Sequence, residues 1–275
     1  MGEYYFGQID KRDSSMQKRA DELLKKEGIS RDPNLELFLG AFDEEDNILA
    51  CGGIFRNTLR CLCVDSAHQG EGILNEVVSR LVALQAERGN FHLFLCTKPD
   101  TAHFLGSLGF YEIARDSGRL VFMENRRDGF SSYLETLRKE SEGLLPEGGG
   151  SKSHAIVMNA NPFTLGHQYL CEKAASECEL LHIFVLSEEL SLFSFKDRFE
   201  MVRAGTEHIK NVVLHGTSSY MISAATFPSY FLKGEAEVAR AQAELDAEVF
   251  SMIAKALDIS AFLAFSEHFF SYHVS

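Results

Sequence analysis

From His154 onward the sequence alternates short apolar runs with amphipathic ones, and that alternation admits few architectures. HAIVM, LLHIFVLS and NVVLHG read as strands, and HQYLCEKAASEC and KDRFEMVRAG as helices, the second closed by Gly205. AEVARAQAELDAEVFSMIAKAL (236–257) is a long helical pattern, and the strand-like ISAFLAF follows it. Strands separated by helices pair in parallel through crossovers, so the expected fold is an open α/β sheet. Ligands of such sheets lie beyond the carboxyl ends of the strands.

The first half follows another plan. SSMQKRADELLKKEG (14–28) is an amphipathic helix stopped by Gly28. LELFLGAFD and ILACGGIFRN flank the acidic turn DEEDN and read as an antiparallel hairpin, with LRCLCV (59–64) as a third strand. Apolar residues at 74, 77, 78, 81, 82 and 84 mark a helix ending at Gly89. FHLFLCT, TAHFLGSLG and RLVFME then read as strand, short helix and strand. Residues 126–152 read as a surface helix and a flexible linker with Pro146 and three glycines, Gly148 to Gly150. The expected domains are therefore 1–125 and 153–275.

The chain has 275 residues, 45% hydrophobic and 24% charged, enough for two ordinary folded domains. A net charge of −13 repels a nucleic-acid backbone but leaves room for a small phosphate ligand in a local site. No apolar run reaches the roughly 18 residues of a membrane span, and the N-terminus lacks a signal-peptide core. The cysteines at 51, 61, 63, 96, 171 and 178 form no CxxC and no zinc pattern. They read as buried reduced thiols, which suits a cytoplasmic protein.

With 154–158 as a strand, Asn159 to Gly166 is its βα loop. Gly166 lets an anion approach the backbone, and the helix beginning near His167 offers unpaired N–H groups and a positive dipole end. His167 there can donate to a phosphate oxygen; the residues alone fit a plain helix start with a partly buried histidine equally well.

NPFTLGH resembles the phosphate-binding signature of the HxGH nucleotidyltransferase superfamily. Asn161-Pro162 fills the turn, Gly166-His167 matches the second half, and Thr164 replaces the first histidine, keeping a hydrogen bond but no positive charge. Together AIVMNANPFTLGHQYL, SFKDRFEMVRAGT and YMISAATFPSYFLK resemble the C-terminal domain of the citrate lyase ligases. NTLRCLCVDSAHQGEGILNEVV and GNFHLFLCTK extend that resemblance into the first half, over roughly residues 15–260.

The resemblance implies a GNAT-like α+β domain followed by a Rossmann-like nucleotidyltransferase domain with a parallel sheet. It implies an ATP-dependent, AMP-forming ligase that activates acetate and acetylates the thiol of a CoA-like prosthetic group on the citrate lyase acyl carrier protein. Mg²⁺ would arrive with the ATP. On this reading His167 and Thr164 serve the phosphates, with Met158, Asn159, Asn161, Phe163 and Gly166 forming the loop. Arg198 would reach phosphate, Lys196 less directly, and Asp197 would cap a helix. The hydroxyls of Ser219, Ser223 and Thr226 fit the lining of an acetate or ribose pocket and a loop of helix-capping serines equally well, while His182 and His215 read as structural.

In the first half HQGEGILNEVV resembles the GNAT pyrophosphate loop, through Gln69, Gly70 and Gly72. Leu74 stands where a small residue is usual and would crowd a pyrophosphate. Asp65 and Glu76 are candidate bases by position alone. A domain of this kind would present the carrier's thiol arm to the adenylate. The resemblance also implies a longer chain. FSEHF, with Glu267, stands where relatives carry a Gly-Glu-Glu-Pro-like run, and a later Ser/Thr-rich motif ending in arginine is missing. A truncated or altered form, poorly active or binding only nucleotide or carrier, is one alternative expectation. A nucleotidyltransferase acting on a pantetheine-phosphate-like acceptor is the other.

Overall fold

A computed structural model describes residues 4–144, 152–187, 191–221, 227–232 and 234–265. The chain divides into two compact units, residues 1–127 with 228–245 and residues 128–227 with 246–275.

The first unit contains β1 (Tyr5–Gln8), α1 (Ser14–Lys26), β2 (Leu37–Phe42), β3 (Ile48–Phe55), β4 (Thr58–Val64), α2 (Ile73–Glu87), β5 (Phe94–Thr97), α3 (Pro99–Ser107), β6 (Tyr111–Arg115) and β7 (Val121–Glu124). Its seven strands lie in the order β1-β2-β3-β4-β5-β7-β6. Every pairing is antiparallel except β4 with β5, which covers only Thr58↔Phe94 and Leu59↔Leu95. Opposite β3, β4 breaks register between its pairings with Cys51 and Gly53, and Cys61 takes a left-handed φ of 53°, as a bulge demands. α2 buries Ile73, Leu74, Val77, Val78 and Leu81 against one face of the sheet. α1 buries Ala20, Leu23 and Leu24 in a second apolar core with Phe38, Phe42 and Cys51. Asp13 caps α1 by accepting the Met16 N–H, and Gly28 turns the chain away at φ 72°.

The second unit contains α4 (Gly129–Ser141), β8 (Ser153–Met158), α5 (Leu165–Ala175), β9 (Leu180–Val185), α6 (Phe195–Thr206), β10 (Val212–Gly216), the later turns of α7 (Glu235–Ala256) and β11 (Ile259–Phe265). Its four strands are parallel throughout, in the order β10-β9-β8-β11. α5 and α6 cover one face, packing Cys171, Ala174 and Val202 on Ile156, Met158, Leu181 and Ile183. Side chains alternate along a strand, and the opposite face carries Phe184, which meets Phe250 of α7 edge-on with centroids 5.9 Å apart. The chain thus winds from β8 outward to β9 and β10, then returns to lay β11 on the far side of β8. This reversal makes the carboxyl end of β8 the topological switch point, where such sheets hold ligands.

Three features differ from the sequence-based expectation. β1 and β6 were not foreseen: one is four residues long, and the other, with its exposed, exposed, half-buried, buried, exposed run, lacks strict alternation. Residues 228–245 join the first unit rather than the second, because Tyr230 enters the core of Cys51, Cys61 and Cys63, and Glu244 accepts hydrogen bonds from Ser117 and Arg119. The surface helix, α4, falls in the second unit, and the glycine-rich stretch 145–151 lies outside the described residues. All six cysteines are free thiols, five of them buried, and no helix among the described residues is long and apolar enough to cross a membrane.

Candidate active site

The loop that leaves β8 is braced from below and from the side. Ala160, 1% exposed, turns it through a left-handed φ of 50°. The Asn161-Pro162 bond is cis. Asn161 Oδ1 accepts the Phe193 N–H at 3.1 Å, and Asn159 Oδ1 accepts the Ser191 hydroxyl at 3.2 Å. Phe163 lies against α6 so closely that a Cβ on Gly205 would stand 2.3 Å from its ring. That contact explains Gly205, which sits inside α6 rather than closing it.

Arg198 is the brace's centre. It is fully buried, and its guanidinium donates to Asn159 O at 2.8 Å, Asn159 Oδ1 at 3.0 Å, Leu186 O at 2.7 Å and Phe193 O at 3.2 Å. Asn159 and Leu186 follow β8 and β9 directly and Phe193 precedes α6, so one side chain ties two strand ends to a helix start. Arg198 Nε and Nη1 thus serve the scaffold, and through them Arg198 positions the loop expected to hold phosphate. Ser187 and Thr217 tie the neighbouring strand ends in the same way, the Ser187 N–H donating to Thr217 Oγ1 at 3.0 Å and Ser218 N–H to Ser187 Oγ at 2.9 Å.

At the mouth of α5, Thr164 is the N-cap and His167 stands three residues on. His167 takes the place usually held by Glu or Gln in a reciprocal cap. Its Nδ1 accepts the Thr164 N–H at 3.1 Å and lies 2.8 Å from Thr164 Oγ1. An Nδ1 that accepts leaves the proton of the neutral ring on Nε2, so this bond selects the tautomer that donates outward. The ring also stacks on Phe163, centroids 5.5 Å apart. Gly166 is exposed, and a Cβ there would meet only Thr164 Oγ1, at an ordinary 3.6 Å. The fold itself does not require glycine at that position.

The structure therefore brings Met158, Asn159, Asn161, Phe163, Thr164, Gly166 and His167 into one strand–loop–helix unit. Lys196 is exposed in the first turn of α6. The cap of α6 is Ser194, which accepts the Asp197 N–H at 3.2 Å, so Asp197 is its partner rather than the cap itself. Ser219 lies half-buried in the turn after β10, while Ser223, Thr226 and Glu267 lie outside the described residues.

His182 and His215 are buried in the sheet, away from that loop. Glu140 and His215 Nδ1 lie 2.6 Å apart, and His215 Nε2 lies 3.0 Å from His182 Nδ1. Burial first, and His215 second, drive the His182 pKa down to about 3, so its ring is neutral. This chain of contacts was not legible from sequence, because its members come from α4, β9 and β10.

In the first unit Gly70 and Gly72 take left-handed φ of 87° and 83°, and Gly72 is the N-cap of α2. No protein atom lies within 4 Å of a Cβ on either glycine, and Gln69 is exposed beside them. Leu74 is 8% exposed and turned into the core, so it does not crowd this loop as expected. Asp65 is no free base: first the Lys26 hydrogen bond and then the Ala67 N–H lower its pKa. Glu76 accepts the Tyr4 hydroxyl at 2.9 Å.

Residues 153–271 match the family model described as the citrate lyase ligase C-terminal domain. The chain is 38% identical over 250 residues to the [citrate [pro-3S]-lyase] ligase of Klebsiella pneumoniae, covering 90% of this chain and 71% of that one. It is 36% identical to the Haemophilus influenzae protein of the same name (86% and 69% covered) and 33% identical to that of Escherichia coli (94% and 72% covered). A GNAT-family acetyltransferase structure from Staphylococcus aureus overlays 45% of this chain and all of its own, with a TM-score of 0.39 and 17% identity. A likeness that loose carries no argument about this chain. The sequence relatives do: the chain belongs to the citrate lyase ligase family.

Proposed function

We propose that the chain is an ATP-dependent, AMP-forming acid–thiol ligase, and that the mouth of α5 is where its chemistry occurs. An acetate oxygen attacks the α-phosphate of ATP, the bond to the bridging oxygen breaks, and pyrophosphate leaves with that electron pair. The thiolate of the CoA-like arm on the citrate lyase acyl carrier protein then attacks the carbonyl of acetyl-adenylate, and AMP leaves. Both steps build negative charge on phosphate oxygens. Fixed donors in a helix mouth stabilise such charge without reorganising.

One observation carries this reading: Thr164 and His167 are locked together at a helix mouth on the topological switch point. His167 would donate from Nε2 to a phosphate oxygen, while Thr164 Oγ1 and the α5 amides would hold its neighbours. Gly166 would keep the backbone open to the anion, Met158, Asn159, Asn161 and Phe163 would set the loop's shape, and Lys196 would add positive charge at the rim. Mg²⁺ would arrive with the ATP and be carried mainly by its triphosphate. In the first unit, Gln69, Gly70 and Gly72 would receive the pyrophosphate of the carrier's arm.

Acetate-dependent exchange of labelled pyrophosphate into ATP tests the activation step. The reading predicts exchange that requires acetate and no acceptor. Exchange that instead requires a phosphorylated pantetheine-like acceptor, or none at all in folded protein, contradicts it. The first unit's role is tested by Gly72→Glu, expected to impair acetyl transfer to the carrier while sparing the exchange; equal loss of both steps removes that role.

A further inference from the structure

Gly205 lies in the last turn of α6, and a glycine within a helix weakens it. Its backbone does not take the left-handed conformation that would call for glycine. The three atoms nearest to a Cβ at that position all belong to the Phe163 ring. α6 thus gives up a side chain to seat one ring. Phe163 is half-buried in the loop after β8 and packs against the apolar core beneath α5 and α6.

The same ring stacks with His167, centroids 5.5 Å apart and planes inclined by 27°. His167 has a second support in Thr164, whose N–H donates to Nδ1 at 3.1 Å and whose Oγ1 lies 2.8 Å from it. The two supports fix different things. A hydrogen bond to one ring nitrogen holds an edge of the imidazole, and the ring can still rock about that bond. A second ring laid on its face fixes the plane. Nε2 lies across the ring from Nδ1, so the plane decides where the Nε2 proton points. A donor serves a phosphate oxygen only while it is aligned, and small displacements at a reacting centre are costly.

We propose that Phe163 is a positioning residue for His167: α6 seats the Phe163 ring over Gly205, and that ring sets the plane of the imidazole and hence the aim of Nε2. This rests on the reading that His167 donates to phosphate, and it adds what orients that donor. A phenylalanine kept only to anchor the loop could give way to another apolar side chain without touching the chemistry. One that aims His167 could not, because an aliphatic side chain offers no flat face. Gly205 belongs to the same device, since any side chain there lifts the ring from its seat.

The test uses the full chain as wild type, Phe163→Leu, Gly205→Ala and the double variant, in acetate-dependent exchange of pyrophosphate into ATP. Phe163→Leu is expected to lower kcat by about 10–100-fold with KM for ATP unchanged, the mark of an interaction that acts only in the transition state. Leucine also vacates the space that the Gly205→Ala methyl group would enter. The double variant should therefore match Phe163→Leu alone in kcat and melt no lower than it. A folded Phe163→Leu protein with wild-type kcat overturns the proposal, as do losses from the two single variants that multiply in the double. A spectroscopic reading needs no turnover: the His167 ring protons, assigned by comparison with His167→Gln, should be shifted upfield by the facing phenyl ring in the wild type. Unshifted His167 protons overturn the stack even if Phe163→Leu does not fold. Absence of exchange in the wild type contradicts the activation reading alone, and the ring shifts and melting temperatures still judge the link from Gly205 to His167.

Discussion

Each unit places a loop between the carboxyl end of a strand and the start of a helix, and the two loops are held by opposite means. After β4 the conformation comes from the backbone: Gly70 and Gly72 sit exposed at left-handed φ with no protein atom near a would-be Cβ. After β8 it comes from contacts with another segment: the Arg198 side chain, the Phe193 N–H and the bare backbone of Gly205 hold Asn159, Asn161 and Phe163 in place. A glycine loop needs only the right residue at the right position. A braced loop depends on α6, and its failure should be cooperative.

The sharpest way to break that contrast is Arg198→Ala, which leaves buried carbonyls at two strand ends without donors. Denaturant unfolding should show a loss of about 3–5 kcal/mol, together with loss of acetate-dependent exchange. Arg198→Lys should recover only part of it, because one ammonium cannot span the same acceptors. A near-neutral Arg198→Ala would mean that the brace is ornamental.

His167→Ala should act on chemistry instead. The expected loss is about 10²–10³-fold in kcat for the exchange, as for removal of one oxyanion-type donor, with a far smaller change in melting than Arg198→Ala. A matching collapse of both quantities would reassign His167 to the scaffold.

A pH effect comes next. The folded pKa of His182 lies at about 3, below its ordinary value of 6.5. The unfolded chain therefore binds a proton that the folded one refuses. Stability is fully present above about pH 6.5 and falls towards pH 3, by up to roughly 1.4 kcal/mol per pH unit. His215 faces this ring and Glu140 in turn faces His215, and His182→Gln should flatten the acid side of the stability curve by about one proton. An unchanged slope would place the acid sensitivity elsewhere.

Gly205→Ala drives a methyl group into Phe163 and should cost about 1–3 kcal/mol by overpacking, with exchange activity falling as the loop shifts. The smallest effect is expected for Gly72→Ala, about 1 kcal/mol from the left-handed backbone alone. Should Gly72→Ala prove the worse of the two, the contrast between backbone-held and side-chain-held loops fails.

The same contrast explains what the sequence disclosed. Parallel strands β8 to β11 were legible from apolar runs spaced by amphipathic helices, and Gly166-His167 from its position after the first of them. The role of Arg198 was not, because its acceptors belong to Asn159 and Leu186, at the ends of different strands. Gly205 looked like a helix stop because the facing Phe163 lies far back in the chain. Tyr230 gave no local signal, since its partners Ser30, Cys51 and Cys61 all lie in the first half of the sequence. Local patterns specify elements and loops; braces between distant segments emerge only when the chain is folded.

The central claim is that the triphosphate of ATP rests at the mouth of α5. Crystals grown with ATP, Mg²⁺ and acetate test it most directly. The account predicts phosphate density over the Gly166 amide, within hydrogen-bond reach of His167 Nε2 and Thr164 Oγ1. Nucleotide bound elsewhere, with that mouth closed by its own side chains, would contradict it.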